Sequence, residues 1–253
     1  MREGQAPHDG TSAQGRLELE HTPEAIRRRI EAGARVSYLR DWVYGGIDGT
    51  VTTFAVVAGV AGAELSSRII LILGVANLIA DGFSMAAANY IGTKAEHDDR
   101  ERIRRQEEQH IALVPEGERE ELRQIFRDKG FGGEVLERVV RVVTSTREQW
   151  IDAMLMLEHG MSPVERSPVL AALSTFSAFI VCGALPLVPY IFGAQAGLLT
   201  ATVLSGLAFL LIGSLKSLWS TQSWWRSGIE TLAIGLAAAA LAFWVGFLLR
   251  GLA

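Results

Sequence analysis

Hydrophobic and polar positions along this chain fall into separate blocks rather than mixing. From Trp42 to Ala63 the only charged residue is Asp48, and from Ile69 to Thr93 the only one is Asp81. No Asp, Glu, Lys or Arg occurs between Arg166 and Lys216, or between Glu230 and Arg250. A helix needs about 20 apolar residues to cross the hydrocarbon of a bilayer. The blocks therefore predict five spans, at 42–63, 69–92, 168–190, 196–216 and 230–249, with the third and fourth joined by a turn near Pro189–Gln195. The predicted fold class is all-α: a polytopic membrane protein of five transmembrane helices, with a three-helix cytoplasmic insert between helices 2 and 3. Four regions follow: an N-terminal segment 1–34, spans one and two in 35–93, the insert 94–166, and spans three to five in 167–253. Residues 1–20 are polar and lack an apolar stretch, which predicts a disordered tail rather than a signal peptide.

In the insert the pattern changes to helical periodicity with many charges. No proline interrupts the run from Tyr90 to Leu113, so the second span is expected to continue into the cytoplasm as one long helix. Pro115 opens a second helix, Glu116–Lys129, with acidic residues in its first turn where the helix dipole favours them. Its apolar residues Leu122, Ile125 and Phe126 share one face, and Gly130, Gly132 and Gly133 end it. A third helix, Glu134–His159, carries Val139, Val142, Trp150, Met154 and Leu155 before Gly160 and Pro163. Three short helices make a small core, so oligomerisation is the expected supplement.

Composition alone would suggest a soluble protein, at 49% hydrophobic and 21% charged residues. Segregation overrides that reading. The net charge of −4, with no basic patch, excludes nucleic acid as a partner. The single cysteine, Cys182, excludes an intramolecular disulfide. Lys and Arg concentrate before the first span, in the insert and around Lys216 and Arg226, which puts these parts in the cytoplasm and the C-terminus outside. Arg250 is the one dissenting charge. The polar N-terminus without a targeting segment is the basis for expecting a prokaryotic plasma membrane.

Chemistry enters with the exceptions to the blocks. A carboxylate near the bilayer centre costs roughly 2.5–3.5 kcal/mol, so Asp48 and Asp81 call for a polar task. Asn77, Asp81, Met85 and Asn89 recur every four residues and form one stripe of the second span. A thioether beside carboxylates points to a transition-metal cation rather than magnesium. In the insert, Glu107 and His110, Glu118 and Glu121, and Met154 and Glu158 are pairs at i, i+3 or i, i+4, each on one helical face. Carboxylate with imidazole suits Fe²⁺ or Mn²⁺.

Plainer readings stand beside these. A helix rich in Glu and Arg is commonly just solvated and ion-paired. Met154 alone reads as core, and His97 and His159 read as surface residues. Asp48 among Gly45, Gly46 and Gly49 suits a hydrogen bond between close helices. Asp81 suits either an ion pathway or a salt bridge, for example to Lys216, and Pro186 and Pro189 read as a kink. Glu107-x-x-His110 also has the spacing of di-iron carboxylate bundles. A membrane-tethered iron oxidase is thus the alternative function, although only Glu118-x-x-Glu121 offers itself as a second motif. A metal sensor without flux is a third.

Several motifs in order resemble the vacuolar iron transporter family over the chain from Arg35 onward. They are Tyr44-Gly45-Gly46-Ile47-Asp48-Gly49, Ala76-Asn77-Leu78 with Ser84-Met85-Ala86, the acidic insert, and Pro186-Leu187-Val188-Pro189-Tyr190. The resemblance implies a transporter rather than an enzyme, without a prosthetic group. It implies a homodimer that exports Fe²⁺ from the cytoplasm in exchange for protons. It implies that Asp48 and Met85 line the path between subunits, and that Glu107, Glu118, Glu121, Met154 and Glu158 bind metal in the insert. This chain departs from that pattern at Asn89, where many relatives have glutamate, at His110, which stands for a second insert glutamate, and at Leu155, where a methionine can occur. Asp81 is an additional acid.

Overall fold

The computed structural model describes residues 13–33, 36–193 and 197–252, and every regular element among them is helical. The N-terminal unit contains α1 (Ala13–Glu20) and α2 (Pro23–Glu31). The expected disordered tail 1–20 is thus corrected over its second part, its first twelve residues lying outside the described ones. An i, i+4 bond from Gln14 to Glu18, 3.1 Å, supports α1. The Thr22 hydroxyl caps α2 by accepting from the Ala25 N–H at 3.3 Å, and Pro23 takes the first helical position.

The second unit holds everything from Ser37 onward. Its helices are α3 (Leu39–Gly62), α4 (Ser67–Leu113), α5 (Pro115–Asp128), α6 (Gly133–Val143) and α7 (Arg147–Leu157). They continue with α8 (Pro168–Gly183), α9 (Val188–Ile191), α10 (Gly197–Lys216) and α11 (Trp224–Leu249). Five stretches are long and apolar enough to cross a membrane: Leu39–Gly62, Ser67–Leu113, Pro168–Ile191, Gly197–Trp219 and Trp224–Leu249. They match the five predicted blocks. The third is broken by a 3₁₀ turn at Leu185–Leu187 between α8 and α9, as Pro186 and Pro189 require, since each removes a backbone donor and clashes with the preceding turn. Part of the turn predicted near Pro189–Gln195 lies outside the described residues.

Helix α3 packs against α4, α8, α10 and α11. Such contact demands glycine where backbones nearly touch. A Cβ on Gly49 would sit 2.5 Å from the Phe179 carbonyl oxygen of α8, and one on Gly246 of α11 would sit 1.9 Å from that of Gly59. Around these contacts Phe54, Val57, Phe179 and Phe209 are buried. Ile72, Phe83, Leu211, Leu241, Trp244 and Leu248 are instead exposed, which suits lipid and would be a liability in water. Two of the buried hydroxyls bond within their own helices: Thr50 donates to the Gly46 carbonyl at 2.7 Å and Ser205 to that of Ala201 at 2.7 Å.

Helix α4 runs unbroken for 47 residues, about 70 Å at 1.5 Å per residue, more than twice the roughly 30 Å hydrocarbon core. Its C-terminal part joins α5, α6 and α7 in the insert. Their core is Leu122, Phe126, Leu136, Val140, Trp150 and Met154, with a second cluster of Ile103, Ile151 and Leu155. The expected single third helix, Glu134–His159, is two helices. Thr144-Ser145-Thr146 breaks it, because the Thr146 hydroxyl accepts from the Gln149 N–H at 3.3 Å and starts α7 afresh.

Candidate metal centre

Three helix ends converge in the insert. Glu107 and His110 lie on the last turns of α4. The tight turn at Val114, whose N–H donates to the His110 carbonyl at 2.7 Å, folds α5 back. Glu118 in the first turn of α5 then meets His110, with Nδ1 3.3 Å from Oε1. From the end of α7, His159 Nε2 reaches Glu107 Oε1 at 3.1 Å and Glu158 Oε2 at 3.5 Å. Two triads result, Glu107–His110–Glu118 and Glu107–Glu158–His159, each with its three donor atoms within 4.8 Å of one another. Donors held about 2.0–2.2 Å from one ion are spaced only a little more closely than this.

Glu107 is 1% exposed and Glu118 3%, and each has an Oε2 atom that is buried without a hydrogen-bond partner. A buried acceptor left unmade costs about 1–3 kcal/mol, more when charged. Such an arrangement is met by a proton or by a cation. Burial, with repulsion from Glu121 and Glu107, pushes the Glu118 carboxyl up from 4.5 to about 7 against the opposing pull of His110. Burial likewise raises Glu158, with His159 partly offsetting it. Glu121 is exposed but near enough to act on both carboxyls. Met154 is wholly buried in the apolar cluster with Leu122 and Trp150.

A raised folded-state carboxyl makes metal-free stability highest below the unfolded value of 4.5, and that contribution is lost as pH rises to about 7. A metal ion needs the deprotonated form, so its affinity rises over the same window. Melting curves at about pH 5 and pH 8 with and without Mn²⁺ check this. Stabilisation by the ion is expected to be much larger at the higher pH; equal stabilisation at both would contradict it.

In the membrane unit, Asp48 of α3 and Asn77, Asp81 and Met85 of α4 are each half-buried. Asp48 lies within electrostatic reach of Asp81. Among the described residues no hydrogen bond or ion pair reaches either carboxylate. The alternative partner of Asp81, Lys216, lies instead 3.6 Å from Glu230. The Asn77 amide nitrogen is buried without a partner, and Met85 packs on the apolar core.

Asn89 sits in a different environment. Its amide donates to Asp41 Oδ1 at 2.9 Å and to the Thr175 hydroxyl at 2.7 Å, with the Ala171 carbonyl at 3.3 Å, while Thr93 donates to its oxygen at 3.3 Å. Arg166 pairs with the other oxygen of Asp41, which is 7% exposed. This network ties α3, α4 and α8 together where the insert returns to the membrane. The structure therefore brings together Glu107, His110, Glu118 and Glu158, and separately Asp48 and Asp81, but gives Asn89 structural partners.

Three residues of these clusters were not picked as site residues from the sequence. His159, expected at the surface, is corrected to a member of the cluster, its side chain 23% exposed. Asp41 and Arg166 form a contact across 125 positions; the only local signal was an acid and a base at the edges of apolar blocks.

A model of the VIT family matches residues 39–247. Vacuolar iron transporter 1 of Eucalyptus grandis is 29% identical over 239 residues, covering 93% of this chain and 96% of the relative. Vacuolar iron transporter 1 of Arabidopsis thaliana is 31% identical over 208 residues, 81% and 83% of the two chains. The vacuolar iron transporter of Toxoplasma gondii is 30% identical over 254 residues, 96% and 84% respectively.

Proposed function

The chain belongs to the VIT family, and from that premise we propose that it exports Fe²⁺, and Mn²⁺ less well, from the cytoplasm in exchange for protons. The relatives are named as transporters, and this chain is likewise an integral membrane transporter rather than an enzyme. The observation that carries the proposal is that one unbroken helix, α4, bears both the Glu107–His110 end of the insert centre and the Asp81–Met85 stripe of the membrane unit.

In this account the insert lies in the cytoplasm and collects the ion on Glu107, His110, Glu118, Glu121 and Glu158, with Met154 one turn before Glu158 as a softer donor. The ion then passes to Met85 and Asp48, which replace part of its hydration shell. Protons arriving from the outer side compete for Asp48 and Asp81 and release it, which yields antiport from ordinary competition for a carboxylate. Asn77 lines the same stripe, and the network around Asn89 holds the cytoplasmic end of the path in shape. Orientation follows the arginines. Arg250 is the exception, and it pairs with Glu64 of the α3–α4 turn at 3.1 Å, on the same side of the membrane. A homodimer covers the polar stripe of α4, which lipid would not tolerate alone. The relatives are named for vacuoles, and a plasma membrane is the other setting for such a transporter. Export from the cytoplasm has the same direction in both.

Vesicles containing the protein with the insert facing out and an acidic lumen provide the test. Fe²⁺ and Mn²⁺ are both expected to enter, iron faster, while Mg²⁺ does not. Failure of both transition metals to enter would overturn the proposal.

A further inference from the structure

We infer that His159 is a metal ligand of the insert centre and biases it toward nitrogen-seeking ions such as Zn²⁺ over Mn²⁺. The inference rests on the proposed metal-loading role of the insert and adds a donor and a selectivity to it.

The backbone fixes His159 in place. Helix α7 ends at Leu157, and the N–H groups of Glu158 and His159 both donate to the Met154 carbonyl, at 3.0 and 3.3 Å. Gly160 then reverses the chain at φ +65, which lets the Met161 N–H reach the Leu155 carbonyl at 2.9 Å. This glycine-terminated helix end closes directly after His159, whose ring faces Glu107.

The side chain meets an incomplete site. Nε2 lies 3.1 Å from Glu107 Oε1 and 3.5 Å from Glu158 Oε2, whereas Glu107 Oε2 is buried and unpartnered on a residue only 1% exposed. A hydrogen bond from the imidazole serves one carboxylate oxygen and leaves the other unmet. A divalent ion among Glu107, Glu158 and His159 would engage all three residues. Because Glu107 also belongs to the triad with His110, the centre offers two imidazoles around a shared carboxylate.

Ligand type then sets preference. Mn²⁺ is lowest in the affinity order of divalent first-row metals and suits oxygen donors, whereas Zn²⁺ binds more tightly and takes imidazole readily. A purely carboxylate centre would discriminate less. If His159 only paired with Glu107 electrostatically, its loss would weaken both ions alike.

The test uses the full-length protein in detergent and measures Zn²⁺ and Mn²⁺ affinity for the wild type, His159→Ala and His159→Gln. The glutamine variant keeps a hydrogen-bonding side chain without an imidazole. Zn²⁺ affinity is expected to fall at least about tenfold and Mn²⁺ affinity no more than about twofold. X-ray absorption at the zinc edge should show one imidazole fewer. Equal losses for the two ions, or an unchanged imidazole count in a variant that melts like the wild type, would overturn the assignment. Wild-type protein that binds both ions while the variants match it sinks His159 alone. Wild-type protein that binds neither sinks the metal-loading role as well.

Discussion

Asp48→Ala is expected to lower Fe²⁺ flux about 10–100-fold, because a contact to a charged group contributes about 1.5–3 kcal/mol and each 1.4 kcal/mol is tenfold. Asp48 is half-buried in the middle of α3, and among the described residues nothing pairs with it, although Asp81 is near enough for repulsion. A structural carboxylate at such a position would hold a hydrogen bond between helices and its loss would destabilise the bundle. An ion-binding carboxylate has no resident partner, so its removal lowers flux and leaves the fold intact. The two measurements to compare are therefore uptake and melting temperature. Lost uptake with unchanged melting places Asp48 on the path. Wild-type uptake, or a loss explained by unfolding, removes it.

The paired substitution Glu107→Gln with Glu118→Gln is expected to act in opposite directions on binding and stability. Each carboxylate lost from the centre should weaken divalent metal binding about tenfold or more, by comparison with the penalties known for groups that merely support a ligand. Together they should bring the insert near to non-binding. Metal-free stability should rise at neutral pH, since both residues are nearly inaccessible, each has an unpaired oxygen, and their charges repel. The gain comes from removing two buried charges that repel each other, since the amides keep polar atoms at the same positions but carry no charge. Thermal melts without metal and titrations with Mn²⁺ read the two effects separately. A variant that melts lower without metal would show that these carboxylates stabilise the insert through contacts rather than wait for a cation.

Much of this arrangement was legible because lipid imposes a coarse rule. Spans had to be free of charge, so Asp48 and Asp81 stood out, and the uninterrupted run from Tyr90 to Leu113 announced that α4 leaves the membrane without a break. Helical spacing then found Glu107, His110, Glu118 and Glu158, because each lies a turn away from another donor. The same logic hid His159. It follows Glu158 directly and has no carboxylate or imidazole one helical turn away in sequence, so only the packing of α7 on α4 reveals that it faces Glu107. The break at Thr144–Thr146 was masked by good apolar periodicity on both sides, although three hydroxyl residues in a row offer the backbone an alternative to helix. Asn89 fell on the expected stripe, but its partners Asp41 and Thr175 come from 48 and 86 positions away. No local pattern encodes such a contact.

Whether metal moves against protons is decided by following both in the same vesicles. Lumenal pH and Fe²⁺ entry would be recorded together, with the insert facing outward and the lumen acidic. The lumen is expected to become more alkaline as iron enters, and entry to slow when the pH gradient is collapsed. Iron entry that proceeds at the same rate without a gradient, and with no movement of protons, would contradict it.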